Sequence, residues 1–170
     1  MRYVCFLRAI NVGGRVVRME TLKQIFSSIG LADVETFIAS GNVIFVAGSG
    51  KPATLETKIE GALRSKLGYD VDAFLRTPDE LAKVVNAVPS ALHVAFTREP
   101  LPAARKAQLV NFDTASDAFT AVGREIYWTL TTKQSESAFV SSKMEKLLDV
   151  RVTWRNMNTV RRLLAKYPPA

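Results

Sequence analysis

The apolar pattern predicts an α+β protein of two ferredoxin-like lobes, each a split βαβ unit, packed together. Three observations carry this. Residues 2–76 read in the order β-α-β-β-α-β, and a second series from Leu92 reads β-α-β-β-α. Both series also have a glycine-containing hairpin, Gly41-Asn42-Val43-Ile44-Phe45 against Gly123-Arg124-Glu125-Ile126-Tyr127, which reads as an internal structural pseudo-repeat. The expected division is 1–77 for the first lobe, 78–91 for a connecting helix and 92–170 for the second lobe with a C-terminal helix.

Residues 2–10 read as a buried strand, because Val4 and Phe6 on one side and Tyr3, Cys5 and Leu7 on the other are all apolar. Asn11-Val12-Gly13-Gly14 breaks it. Met19, Leu22, Ile25, Phe26 and Ile29 recur at helical spacing, and Gly30 stops that helix. Val34–Ala39 and Val43–Val46 read as strands joined by a tight turn at Ser40-Gly41-Asn42. Leu55, Ile59, Leu63 and Leu67 mark the next helix, after Pro52, and Val71–Arg76 the next strand. Thr77-Pro78-Asp79-Glu80 opens the connecting helix, with Thr77 as N-cap, Pro78 at the first helical position and Glu80 completing a capping box. The second series is a strand at Leu92–Phe96, a helix near Pro102–Val110, and strands near Ala118–Val122 and at Glu125–Leu130. Ser142 with Glu145 caps a short helix to Leu148. The last helix runs from about Met157 to Tyr167, where Pro168-Pro169 end it.

The chain has 170 residues, 48% of them hydrophobic and 23% charged, so a core can form without disulfides or metals. No apolar run approaches the ~18–20 residues needed to cross a bilayer. The short apolar stretch after Met1 is interrupted too soon for a signal peptide. One cysteine cannot make an internal disulfide. The expectation is a cytoplasmic protein with no membrane association.

The net charge is +7 and it is uneven. Residues 1–19 carry Arg2, Arg8, Arg15 and Arg18 with no acid, and residues 151–170 carry Arg151, Arg155, Arg161, Arg162 and Lys166, again with no acid. Arginine's planar fork suits phosphate or carboxylate. The same runs also fit solvated or structurally paired arginines.

Catalytic signatures are sparse. His93, the one histidine, sits in the apolar run Leu92-His93-Val94-Ala95-Phe96 and fits a surface or satisfied core residue better than a base. Cys5 lies inside the first strand, where a thiol is inert. Asp70 and Asp72 share a strand face at its entrance, where solvation explains them. No His/Cys spacing suggests a metal, no cofactor motif is present, and no serine stands in a nucleophile elbow. Whether the protein is an enzyme is left open.

Two segments have binding potential. Arg8-Ala9-Ile10-Asn11-Val12-Gly13-Gly14-Arg15-Val16-Val17-Arg18 places paired glycines among three arginines between a strand and a helix, where backbone N–H groups can turn toward an anion. It matches neither Gly-x-Gly-x-x-Gly nor the P-loop. Thr153-Trp154-Arg155-Asn156-Met157-Asn158-Thr159 places Arg155 beside the start of the last helix, which Asn156 or Asn158 can cap. A structural turn accounts for the first segment equally well, and a purely structural cap accounts for the second better.

Leu7-Arg8-Ala9-Ile10-Asn11-Val12-Gly13-Gly14, Ser40-Gly41-Asn42-Val43-Ile44-Phe45 and Arg155-Asn156-Met157-Asn158-Thr159-Val160, in that order, resemble the hallmark segments of the bacterial domain-of-unknown-function 1697 family. The family often has glycine where Ala9 stands. It often has a lysine- or asparagine-rich stretch and a proline where this chain reads Arg15-Val16-Val17-Arg18-Met19. The resemblance implies two ferredoxin-like α+β lobes and brings no activity, substrate or catalytic residue.

The leading expectation is binding of a phosphate-bearing partner, a nucleotide-like small molecule or a nucleic-acid backbone. Arg8, Asn11, Gly13, Gly14 and Arg15 form one side of the expected anion site, and Arg155 and Asn156 the other. The alternatives are a protein-interaction or dimerisation module, whose oligomeric state the sequence does not give, and an enzyme of unrecognised type acting on an anionic substrate through the same arginines.

Overall fold

A computed structural model of the chain describes every residue except Val12, and Ser40 without its side chain. The chain falls into two compact units, one of Met1–Leu81 with Leu163–Ala170 and one of Ala82–Arg162. Each holds a four-stranded antiparallel sheet with helices, so the protein is α+β in two lobes.

In the first unit the elements are β1 (Arg2–Arg8), α1 (Met19–Ser28), β2 (Ala32–Phe37), β3 (Ala39–Val46), α2 (Pro52–Leu67), β4 (Asp72–Arg76) and the start of α3 (Pro78–Ala87). The strand order β2-β3-β1-β4 is that of the split βαβ fold. Tyr3, Cys5 and Leu7 of β1 face a core with Leu22, Ile25 and Phe26 of α1 and Ile59 and Leu63 of α2. Val4 and Phe6, on the opposite face, are also fully buried. Both-sided burial is why β1 lacks alternation. Gly30 and Gly68 end α1 and α2 with φ of 84° and 82°, the left-handed geometry of a helix stop. The predicted capping box is formed: the Glu80 amide donates to Thr77 Oγ1 (3.2 Å), and the Thr77 amide donates to Glu80 Oε2 (2.8 Å).

The second unit contains β5 (His93–Phe96), α4 (Ala103–Ala107) continued by a 3₁₀ turn at Gln108–Phe112, β6 (Asp117–Val122), β7 (Glu125–Leu130), α5 (Ser141–Leu148), β8 (Thr153–Asn156) and the start of α6 (Met157–Lys166). Its order, β6-β7-β5-β8, matches the first sheet strand for strand. The registers make the repeat explicit. Val4 lies between Ile44 and Arg76, and Val94 lies between Tyr127 and Arg155. Tyr3 against Phe45 then corresponds to His93 against Trp128, and both pairs are ring contacts, at 5.7 and 4.8 Å.

Several local expectations are corrected. The β2–β3 turn is at Ile38, not at Ser40-Gly41-Asn42. Thr36 pairs with Val43 but Phe37 with Ala39, so residues 40–42 are an irregularity inside β3. Asn42 is buried, pairs with Phe6 of β1, and its amide donates to the Phe37 carbonyl at 3.1 Å, tying the irregularity to the end of β2. Val43 therefore matches Ile126, and the expected alignment of the two hairpins is shifted by one residue. Ser142 does not cap α5. The helix starts at Ser141 after Val140, and Glu145 instead accepts from the Val152 amide at 3.0 Å. The second series also has a last strand, β8, too short and too polar to read as one.

Candidate anion-binding site

The segment between β1 and α1 leaves the first sheet at Arg8. Arg8 lies opposite Asp72 of β4, and its Nε is 3.8 Å from the Asp72 carboxylate. Asp72 is thereby a partner of Arg8, and Asp70 a partner of Arg64 at 2.7 Å, so the two aspartates are not a working pair. Ala9 follows at φ 54°. That left-handed backbone favours glycine and gives a reason for the residue often found there in the resembling sequences.

Asn11 braces the loop, its Oδ1 accepting from the Val17 amide at 2.8 Å. Val12 lies outside the described residues. Gly13 and Gly14 have φ of 65° and 76°, as the two central residues of a type I′ turn require, and a Cβ at either would meet nothing within 4 Å. The glycines are needed for backbone conformation and leave their surroundings open. Arg15 then lies over the Tyr69 ring, 4.3 Å from its centroid, and the Tyr69 hydroxyl donates to the Ile10 carbonyl at 2.7 Å. Val17 is buried, whereas Gly13, Gly14, Arg15, Val16, Arg18 and Met19 are exposed.

This packing leaves Arg15 chemically available. A cation–π contact consumes none of the guanidinium's N–H donors, which stay available to an anion. No carboxylate among the described residues is within ion-pair range of Arg15 or Arg18. Tyr69 is the residue that sequence reasoning missed. It stands 54 positions from Arg15, beyond the reach of local spacing.

Four of the expected residues, Asn11, Gly13, Gly14 and Arg15, therefore share one loop of the first unit, and Arg8 ends the strand that leads into it. Arg155 and Asn156 belong to the second. Arg155 Nη1 donates to Thr153 Oγ1 (2.7 Å) and to the Trp154 carbonyl (2.8 Å), while Asn156 Oδ1 accepts from the Asn158 amide (2.8 Å) and caps α6. Each has a local structural task.

Cys5, His93 and Asp117 are inward. Cys5 is fully buried, and His93 is buried against Trp128, with burial lowering its pKa. Asp117 is buried too, which pushes its carboxyl up. Hydrogen bonds from Trp128, Thr114, Ser137 and Ser116 outweigh this and hold it below the usual range. Among the described residues no group of three or more His, Cys, Asp or Glu is placed to hold a metal, and no helix is long and apolar enough to cross a membrane. A cleft of about 490 Å³ opens elsewhere in the first unit, between Met1, Arg2, Val46, Thr77, Pro78, Asp79, Pro168 and Ala170.

The model of the family described as protein of unknown function DUF1697 matches residues 1–127. The chain belongs to this family. Among solved structures, this DUF1697 chain is similar to the conserved bacterial protein SP0830 from Streptococcus pneumoniae, at 23% identity and a TM-score of 0.74, with 99% of this chain and 98% of that one covered. At that identity the likeness concerns the fold. No curated protein matches the chain.

Proposed function

We propose that this DUF1697 protein binds a phosphate-bearing ligand at the β1–α1 loop, with Arg15 as the principal contact and Arg8, Asn11, Gly13 and Gly14 shaping the loop around it. The observation that carries the reading is the loop's departure from the internal repeat. Ten residues connect β1 to α1, against six between β5 and α4, although the two sheets correspond strand for strand. The shorter connection shows that this supersecondary unit closes without the longer one. The added length holds the paired glycines and two arginines with no carboxylate partner among the described residues, one of them in contact with Tyr69. Arg155 and Asn156 are secondary to this reading because their polar atoms serve β8 and α6.

Isothermal titration with inorganic tripolyphosphate at low salt tests the proposal. Binding that weakens with salt and drops at least tenfold in Arg15→Ala is the expected result. Arg15 is exposed, so that variant folds, and an unchanged affinity in it overturns the assignment.

A further inference from the structure

Resting on that reading, we infer that the phosphate-bearing ligand is a single-stranded nucleic acid, one of whose bases stacks on the outward face of Arg15. The first argument is shape. A small metabolite is held in a concave site that covers most of its surface. From Gly13 to Arg18 the loop is the opposite: apart from buried Val17 every residue is exposed, Val16 at 80%, and Met19 at the start of α1 is 44% exposed. An exposed run of this kind can contact an extended polymer along its length.

The second argument is chemistry. The loop alternates cationic and apolar exposed groups, with Arg15 and Arg18 for phosphates and Val16 and Met19 beside them. Single-stranded nucleic acid needs this mixture, because its backbone is charged and its bases present apolar faces. The Arg15 guanidinium carbon lies 4.3 Å from the Tyr69 ring centroid, a contact that restrains the side chain before any ligand arrives. Arginine planes stack on unpaired bases, and a restrained side chain loses less freedom on doing so. A base inside a duplex offers no free face, so such stacking favours a single strand. All four cations of residues 1–19 are arginine, consistent with planar recognition over diffuse attraction to a charged surface.

Fluorescence anisotropy with a labelled mixed-sequence single strand of about twelve nucleotides tests this, beside tripolyphosphate, the matching duplex and vesicles containing phosphatidylserine. The decisive variant is Arg15→Lys, which keeps the charge and loses the plane. The expected result is about tenfold weaker binding of the single strand with tripolyphosphate affinity changed less than twofold. Val16→Ser is expected to weaken the strand severalfold and leave tripolyphosphate alone. Equal losses for both ligands in Arg15→Lys, or a duplex bound as tightly as the strand, would overturn the inference and leave the phosphate reading intact. Binding to vesicles without binding to the strand also overturns it. If neither tripolyphosphate nor the strand binds, both readings fall together.

Discussion

Ile38 is the residue whose backbone is least suited to its side chain. Its φ of 67° lies in the left-handed region, where a β-branched residue is a genuine outlier, and its side chain is half exposed. Asparagine tolerates that conformation and adds none of glycine's unfolded-state entropy. Ile38→Asn is therefore expected to stabilise the protein by about 1 kcal/mol in urea unfolding. A destabilised variant would show that packing of the isoleucine outweighs the strain. His93 gives a second prediction at this scale. Burial holds its folded-state pKa below the ordinary 6.5, so the folded state prefers the neutral ring. Between those two values the unfolded chain binds more protons, and stability rises with pH. It is complete above about pH 6.5 and lost as pH falls toward the folded value. Glu35 and Asp117, whose pKa values are also lowered, lose their contributions only below the ordinary carboxylate range. A fall in melting temperature between pH 7.5 and 5.5 thus belongs to His93, and His93→Phe should flatten it. An equal fall in the variant would assign the effect elsewhere.

The elements show how one edge of each sheet, β4 in the first and β8 in the second, is closed. On β4, the Leu75 amide donates to Glu56 at 3.0 Å and the Ala73 amide to Glu60 at 2.9 Å, while Arg76 donates to the Leu75 carbonyl at 2.8 Å. These contacts occupy backbone groups that an edge strand would otherwise offer to another chain. The repeat retains half of this device. Glu145 accepts from Val152 and Arg155 donates to Trp154, but the position corresponding to Glu56 is Ser141, whose hydroxyl accepts from the Trp154 indole. Glu56 is 2% exposed, so Glu56→Ala leaves a buried amide without its acceptor and should cost about 1–3 kcal/mol. Ser141→Ala breaks a contact at a half-buried indole and should cost less. If the order of the two is reversed in urea titrations, the sealed edge is not what Glu56 contributes. Asn156→Ala, which removes the α6 cap, should cost about 1 kcal/mol and leave tripolyphosphate affinity unchanged.

At the scale of the whole molecule, what was legible in sequence followed from local rules. The capping box at Thr77 and Glu80, the glycine stop at Gly30, and the both-sided burial of β1 depend on neighbours a few residues away, and all were readable. The β2–β3 turn was not, because Gly41 and Asn42 look like turn residues while the actual turn uses Ile38 in a backbone it rarely adopts. Strand β8 exists through pairing with β5, some sixty residues earlier, and carries no pattern of its own. At the candidate site the arginines and glycines were visible, whereas Tyr69, which orders Arg15, reaches the loop only through the fold. The distribution of charge sets the last prediction. The first unit holds eleven basic and nine acidic residues, the second twelve and seven, so a merely electrostatic association would favour the second. Binding at the β1–α1 loop instead involves about two or three phosphates. Each contributes about −0.7 to the slope of log K against log salt for a single strand, giving a slope near −2. Joint replacement of Arg15 and Arg18 by alanine should flatten that slope by about 1.4. A slope much steeper than −2, unchanged in the double variant, would place the interaction on the diffuse charge of the second unit and not on the loop.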